Sequence, residues 1–412
     1  MSAASHHARS RGAVAAAFFW QGLVFIHLTT RLPELTDRWH LTETRLSLLL
    51  LLMVLLAGAG SALAERRAGR RGSAEALVAG LVVVGLAPAA LGASPALWLF
   101  VLALAAYGLA LGTVDAGSNM QAVALEHHYG RTILPSFHGA WTLGGMTGAA
   151  LTLATAGHSR ATLAGALVIA AASLLFLAAG FLPAEEAGPG TGPELAVPWR
   201  PLLLVGLGLV VFYMVDTAAT TWGPTYLDRT FDTPAGLVAL ATFPYLLASG
   251  LLRLLGDRLV TAYGAVAVLR AGGVLAAVAL AVVVGAPTWP VAVLGFTLLG
   301  AGVAVIAPLS FSAAARIAGG DETDPALRRA RVDAVIARFN QFNYLGALLG
   351  AVLTGLVGAG SLRIGLALPM VLVLAILPLA RAFAPPVRRD SLPASSGPAA
   401  APAGRAARRR AR

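Results

Sequence analysis

The run G-L-A-L-G-T-V-D-A-G-S-N-M-Q-A-V-A-L-E-H-H-Y-G-R-T-I-L-P-S-F-H-G-A-W-T-L-G-G-M-T-G-A-A-L-T, residues 108–152, contains two long apolar segments with polar groups placed at helical intervals. In a helix Gly108, Gly112, Asp115 and Asn119 fall within one narrow sector, so one face offers close backbone approach and then a carboxylate. His138, Thr142, Gly145, Ala149 and Thr152 share a face of the second segment in the same way. Ionisable groups inside such apolar helices belong on the interior of a bundle or along a watery cavity. The arrangement reads as a path for a polar solute.

The whole chain has the same character. Its 412 residues are 58% hydrophobic and only 12% charged, where an ordinary soluble domain has about a quarter charged. The mean hydropathy is +0.77. This is an all-α membrane protein with many spans. Cysteine is absent, which excludes a disulfide framework, a thiolate metal site and a cysteine nucleophile. Neither H-E-x-x-H nor G-x-S-x-G occurs, and without lysine there is no P-loop lysine, so no enzyme, cofactor or metal site is expected.

Stretches of roughly 20 apolar residues cross a bilayer as helices. Twelve are expected, at 13–33, 45–65, 74–93, 96–123, 136–157, 161–182, 201–227, 234–255, 265–286, 289–312, 332–357 and 363–383. The Arg9 and Arg11 start resembles a secretory signal, but a long first run followed by many more spans argues against cleavage. With the N-terminus in the cytoplasm, all but six of the 30 basic residues fall on the cytoplasmic side. That bias places both termini in the cytoplasm, and it accounts for the net charge of +11 without nucleic acid.

Pro183-Ala-Glu-Glu-Ala-Gly-Pro-Gly-Thr-Gly-Pro-Glu194 breaks helical continuity near the middle. The expected organisation is a six-helix half over 1–183, a cytoplasmic linker over 184–199, a second six-helix half over 200–384, and a disordered arginine-rich tail over 385–412. Every third span is almost purely aliphatic, while spans one, four and seven carry the polar residues. A period of three spans repeated four times is the internal symmetry of a repeat transporter.

Twelve spans in two halves resemble the major facilitator superfamily. Gly60-Ser-Ala-Leu-Ala-Glu65-Arg66-Arg67-Ala68-Gly69-Arg70-Arg71 resembles that superfamily's loop signature, and Arg67, Gly69, Arg70 and Arg71 match its second part as a gating loop. Residue 66 is arginine where aspartate is usual, and Glu65 stands one place early. Asp115-Ala-Gly-Ser-Asn119, Phe137-His138-Gly139 and Leu143-Gly144-Gly145 are similar to a bacterial inner-membrane subgroup related to sugar and fucose permeases. Asp216 followed by Trp222 and Tyr226-Leu227 is similar to the same subgroup. The resemblance implies alternating access by two rocking halves, often driven by protons, and a plasma-membrane protein.

Each candidate has a functional and an ordinary reading. Desolvation disfavours the ionised form of a buried carboxylate, so Asp115 suits proton coupling or substrate binding; alternatively it pairs with Arg131 or His138 at a gate. His138 is a proton relay partner or a helix-start histidine bonded to backbone. Asp216, near the middle of span seven with Tyr213 and Thr220 on nearly the same face, is the strongest candidate for coupling. Trp222 and Tyr226 stack on a ligand or sit in an interfacial belt.

In span one, Gln21 lies near mid-depth, and Trp20, Val24, His27 and Arg31 share a face. Arg31 with Glu34 forms an outer gate, or Arg31 snorkels to the interface. Asn340 and Asn343, in the amide-rich opening of span eleven, bond a solute or a neighbouring helix. Gly58, Gly60, Gly144, Gly145, Gly148, Gly346 and Gly350 permit close crossings, and Pro308 kinks span ten. The expected function is a monomeric, proton-coupled secondary transporter of a small polar organic solute. Its partners are the solute, protons and the bilayer, and the alternatives are a drug or amphipath efflux carrier and a membrane ligand sensor.

Overall fold

In hydrocarbon every backbone N–H and C=O must be satisfied within its own segment, which leaves helices as the way for this composition to cross. The computed structural model describes residues 3–129, 133–183, 199–320, 322–324, 327–328, 331–332, 335–336, 339 and 341–384. Among these residues no strand forms, and ten helices are long and apolar enough to span a membrane.

In chain order the helices are α1 (Ala3–Thr29), the short α2 (Leu32–Arg38), α3 (Glu43–Arg71), α4 (Ala74–Ala93), α5 (Leu97–Tyr129), α6 (Leu134–Thr155) and α7 (Ser159–Ser173). After the linker come α8 (Trp199–Phe231), α9 (Phe243–Tyr263), α10 (Ala265–Gly285), α11 (Trp289–Val303), α12 (Ile306–Gly319) and α13 (Gln341–Val357). The last are α14 (Leu362–Leu372) and α15 (Ile376–Leu379), joined by a tight turn. Two of the twelve expected spans are not among the ten. The 22-residue α6 is diluted by Ser136, His138 and four threonines, and the described part of α13 has only 17 residues.

Sequence chemistry explains the breaks. Thr42 caps α3 by accepting the Arg45 N–H at 3.3 Å, and Gly72, at φ +80, ends it. The helix thus runs through Arg71, so Arg67, Gly69, Arg70 and Arg71 occupy its last turns and not a loop; positive charge there complements the helix dipole. Pro308 breaks span ten between Val303 and Ile306. Proline has no N–H, which frees the carbonyl of Ala304, and Arg253 Nε takes it up at 3.2 Å. The last span tightens into short turns at Val373–Ala375 and Ala380–Phe383, and Arg270 and Arg316 bond the carbonyls of Leu377 and Phe383 at 3.2 and 2.8 Å.

Packing follows a repeated scheme. α1 lies on α6, α3 on α5, and α4 on α5 and α7; later α8 lies on α13, α9 on α11, and α10 on α11 and α14. Glycines set the closest crossings, as expected, except that Gly58 has open space beside it and makes none. A β-carbon on Gly112 would meet the Ala57 carbonyl, one on Gly144 the Phe19 carbonyl, one on Gly346 the Val210 carbonyl at 2.6 Å, and one on Gly302 the Ala276 N at 2.7 Å. Between helices before the linker and helices after it the neighbours are side chains instead. Gly145 faces Leu246 Cδ1 at 3.1 Å, Gly250 faces Thr142 Cγ2 at 3.8 Å, and Gly355 faces the Ser47 hydroxyl.

Candidate functional site

α5 carries Asp115 past its middle, and α8 carries Asp216 at its middle. Asp115 and Asp216 are half-buried as residues, and so are Asn119, Tyr213 and His138. Asp115 accepts hydrogen bonds from the Tyr344 hydroxyl of α13 and from Gln21 Nε2 of α1, the latter at 3.4 Å. Ser61 of α3 lies within hydrogen-bonding reach of the same tyrosine. One acid thus gathers four helices, and both of its side-chain partners are neutral.

Asp216 accepts from the Tyr245 hydroxyl of α9 at 2.6 Å, and its backbone carbonyl receives the Thr220 hydroxyl at 2.8 Å. Arg253 of α9 lies within electrostatic reach of Asp216, Tyr213, Tyr245 and His138. Its guanidinium NH1 lies 3.4 Å from the Thr142 hydroxyl of α6. Tyr213 feels both Asp115 and Asp216, which places the two acids around one region of the bundle. The arrangement is two carboxylates, one guanidinium, several hydroxyls and an imidazole on helices from both sides of the linker. Chemically, such a set offers hydrogen-bond donors and acceptors for a polar solute and groups able to take up or release protons.

Some expected partners differ. Asp115 is tied to Tyr344 and Gln21 and not to His138, whose ring stands edge-on to Phe18 at 5.3 Å. Arg131 and Asn340 lie outside the described residues, and Asn343 is half-buried. Asn119 Nδ2 bonds the Asp115 backbone carbonyl at 2.9 Å, so it serves its own helix.

His27 and Arg31 lie away from the two acids. His27 Nδ1 lies 3.0 Å from the Thr152 hydroxyl, which lies 2.9 Å from that of Thr30, joining α1 to α6 in a buried network. Arg31 does not snorkel outward: it is buried, bonded to Glu34 at 2.7 Å and to Thr155. Trp222 and Tyr226 are in neither a belt nor an open cavity. Both are fully buried, Trp222 donating to the Ala351 carbonyl at 2.8 Å and Tyr226 to the Val283 carbonyl at 2.6 Å. Arg67 and Arg71 are exposed at the end of α3.

Sequence reading missed Tyr245, Arg253 and Tyr344 as members of the site. The signal for Arg253 is that it is an arginine inside an apolar run, though by charge alone it resembles the topogenic arginines of helix ends.

Comparison with known proteins agrees with this architecture. Residues 205–411 match the family profile described as Major Facilitator Superfamily. The chain is 30% identical over 308 residues to the uncharacterized transporter y4wD of Sinorhizobium fredii, covering 73% of this chain and 81% of that one. It superposes on a variant of the nucleoside transporter NupG with a TM-score of 0.67 at 14% identity, over 90% of this chain and 98% of that structure. For FucP in its outward conformation the TM-score is 0.58 at 16% identity, over 91% of this chain and 98% of the other. With the family profile over half its length and this relative over most of it, the chain belongs to the Major Facilitator Superfamily and is a multi-pass membrane transporter, not an enzyme.

Proposed function

We propose that this transporter is a proton-coupled secondary carrier of a small polar organic solute, working by alternating access with twelve spans in two six-helix halves. The recurrence of the same helix pairings before and after the linker supports the two halves. The clustering of arginines at helix ends supports cytoplasmic termini in a bacterial plasma membrane.

The observation that carries the reading is the bond from Tyr344 to Asp115. It joins helices on opposite sides of the linker, and no cation contacts the carboxylate among the described residues. An ionised Asp115 accepts from both Tyr344 and Gln21 and ties α13 to α5 and α1. A protonated one gives up part of that acceptor capacity and the tie weakens. Proton occupancy and separation of the halves are thereby linked at one atom pair. The Arg229 to Glu43 ion pair at 2.6 Å, with Arg229 also bonding the Leu41 carbonyl at 2.9 Å, closes the proposed outer end.

Solute counterflow in proteoliposomes tests the proposal, with fucose, other monosaccharides, nucleosides and their carboxylate derivatives as labelled probes. These follow from FucP, described as a fucose:proton symporter, and from NupG. Labelled probe is expected to accumulate against an unlabelled internal load, and acid outside is expected to accelerate net uptake. Binding with no counterflow would make the chain a sensor, and exchange of amphipathic dyes alone would make it an efflux carrier.

A further inference from the structure

Arg253 stands apart from the other arginines whose bonds lie within the described helices. Arg270, Arg316 and Arg363 spend their donors on backbone carbonyls at helix breaks and ends. Arg229 is paired with Glu43. Arg253 bonds one carbonyl, that of Ala304, through Nε, and this anchor fixes the plane of the guanidinium. Its other edge looks across to α6, where the nearest group is the Thr142 hydroxyl at a long 3.4 Å. It is half-buried, and among the described residues no carboxylate forms an ion pair with it. Asp216 is within its field, but the hydrogen bond to Asp216 Oδ1 comes from Tyr245.

A charge held inside a span without a contacting counter-charge is costly, and such groups mark substrate paths. A guanidinium anchored through Nε presents a planar fork that suits a carboxylate in two parallel bonds. Thr142 and His138 stand on the facing helix to complete the cradle. We propose that Arg253 is the anion-binding group of the solute site, and that the transported solute carries a carboxylate. This rests on the carrier reading above and adds the class of solute.

The test uses purified full-length protein and three matched probe pairs: glucuronate with glucose, galacturonate with galactose, and lactate with glycerol. Affinities come from thermal shift and tracer binding, and counterflow is measured separately. An anionic member is expected to bind at least tenfold more tightly than its neutral counterpart. Arg253→Gln is expected to weaken that binding about 100-fold and to change the affinity of the neutral member far less. Arg253→Lys keeps the charge without the fork, and is expected to retain an intermediate affinity, which separates loss of recognition from loss of folding. Neutral members binding as well as anionic ones, or Arg253→Gln binding the anions at parental affinity, would overturn the assignment. Anion binding that depends on Arg253 without counterflow would instead sustain the assignment and refute the carrier.

Discussion

Removing Arg229 is expected to open the face proposed to be external. Its guanidinium meets Glu43 at 2.6 Å and the Leu41 carbonyl at 2.9 Å, tying α8 to the start of α3 across the linker boundary. Both side chains are about one-fifth exposed, 23% for Arg229 and 21% for Glu43, so solvent screens them only in part. A hydrogen-bonded charge contributes roughly 1.5–3 kcal/mol, discounted for that exposure to about 1.5–2.5 kcal/mol for both contacts together. At 1.4 kcal/mol per tenfold, the closed state would lose a factor of roughly 10–60 against the open one.

The absence of cysteine makes the assay direct. Ser47 is fully buried, with its hydroxyl against Gly355 and Trp222 nearby, just inside the ion pair. Ser47→Cys therefore supplies a single thiol that an impermeant maleimide reaches only when this end opens. In intact right-side-out vesicles it should label slowly, and adding Arg229→Gln should raise the rate roughly 10–60-fold, the factor worked out above. Glu43→Gln should do much the same, and the two changes together should add little. Labelling of the Arg229→Gln variant at the parental rate would refute the reasoning.

Asp115→Asn and Asp216→Asn separate the two acids: because Asp115 has only neutral partners, its variant is expected to lose gradient-driven accumulation while keeping exchange, and parental accumulation would remove it from coupling. Asp216→Asn, which leaves Arg253 without a nearby acid, is expected to change solute affinity more than coupling, as read from binding and uptake side by side. Gly58→Ala and Gly60→Ala stand two residues apart on α3 with opposite surroundings, open space for the first and the Leu109 carbonyl for the second. The first should be neutral or stabilising by about 0.5–1 kcal/mol and the second destabilising by roughly 1–3 kcal/mol, checked by thermal unfolding in detergent. Trp222→Phe keeps an aromatic ring but removes the second bond to the Ala351 carbonyl, so stability should fall by about 0.5–1.5 kcal/mol with solute affinity unchanged. A selective loss of affinity would return Trp222 to the solute site.

Much of the fold was legible because hydropathy is local: a run of aliphatic residues must be a helix in lipid wherever its neighbours lie. The α3 end is harder to read, because Arg66 to Arg71 look like a loop by charge, whereas nothing in them stops a helix until Gly72. The two acids were legible for the same local reason. Their partners were not, since Tyr344 is 229 residues from Asp115 and Trp222 is 129 from the Ala351 carbonyl. No periodicity reports which of several helices a tyrosine will face. The placement of Arg253 was hidden differently, because its anchor depends on the break at Pro308 that frees the Ala304 carbonyl.

Where peptide planes press directly on one another, as Gly112 does on Ala57 and Gly144 on Phe19, sliding would require the helices to lift apart first. Where Leu246, Thr142 and Ser47 intervene, a rotamer change is enough to give way. Deformation is therefore confined to the seams lubricated by side chains, and a substitution that merely stiffens one of those seams would jam the machine without touching its cargo.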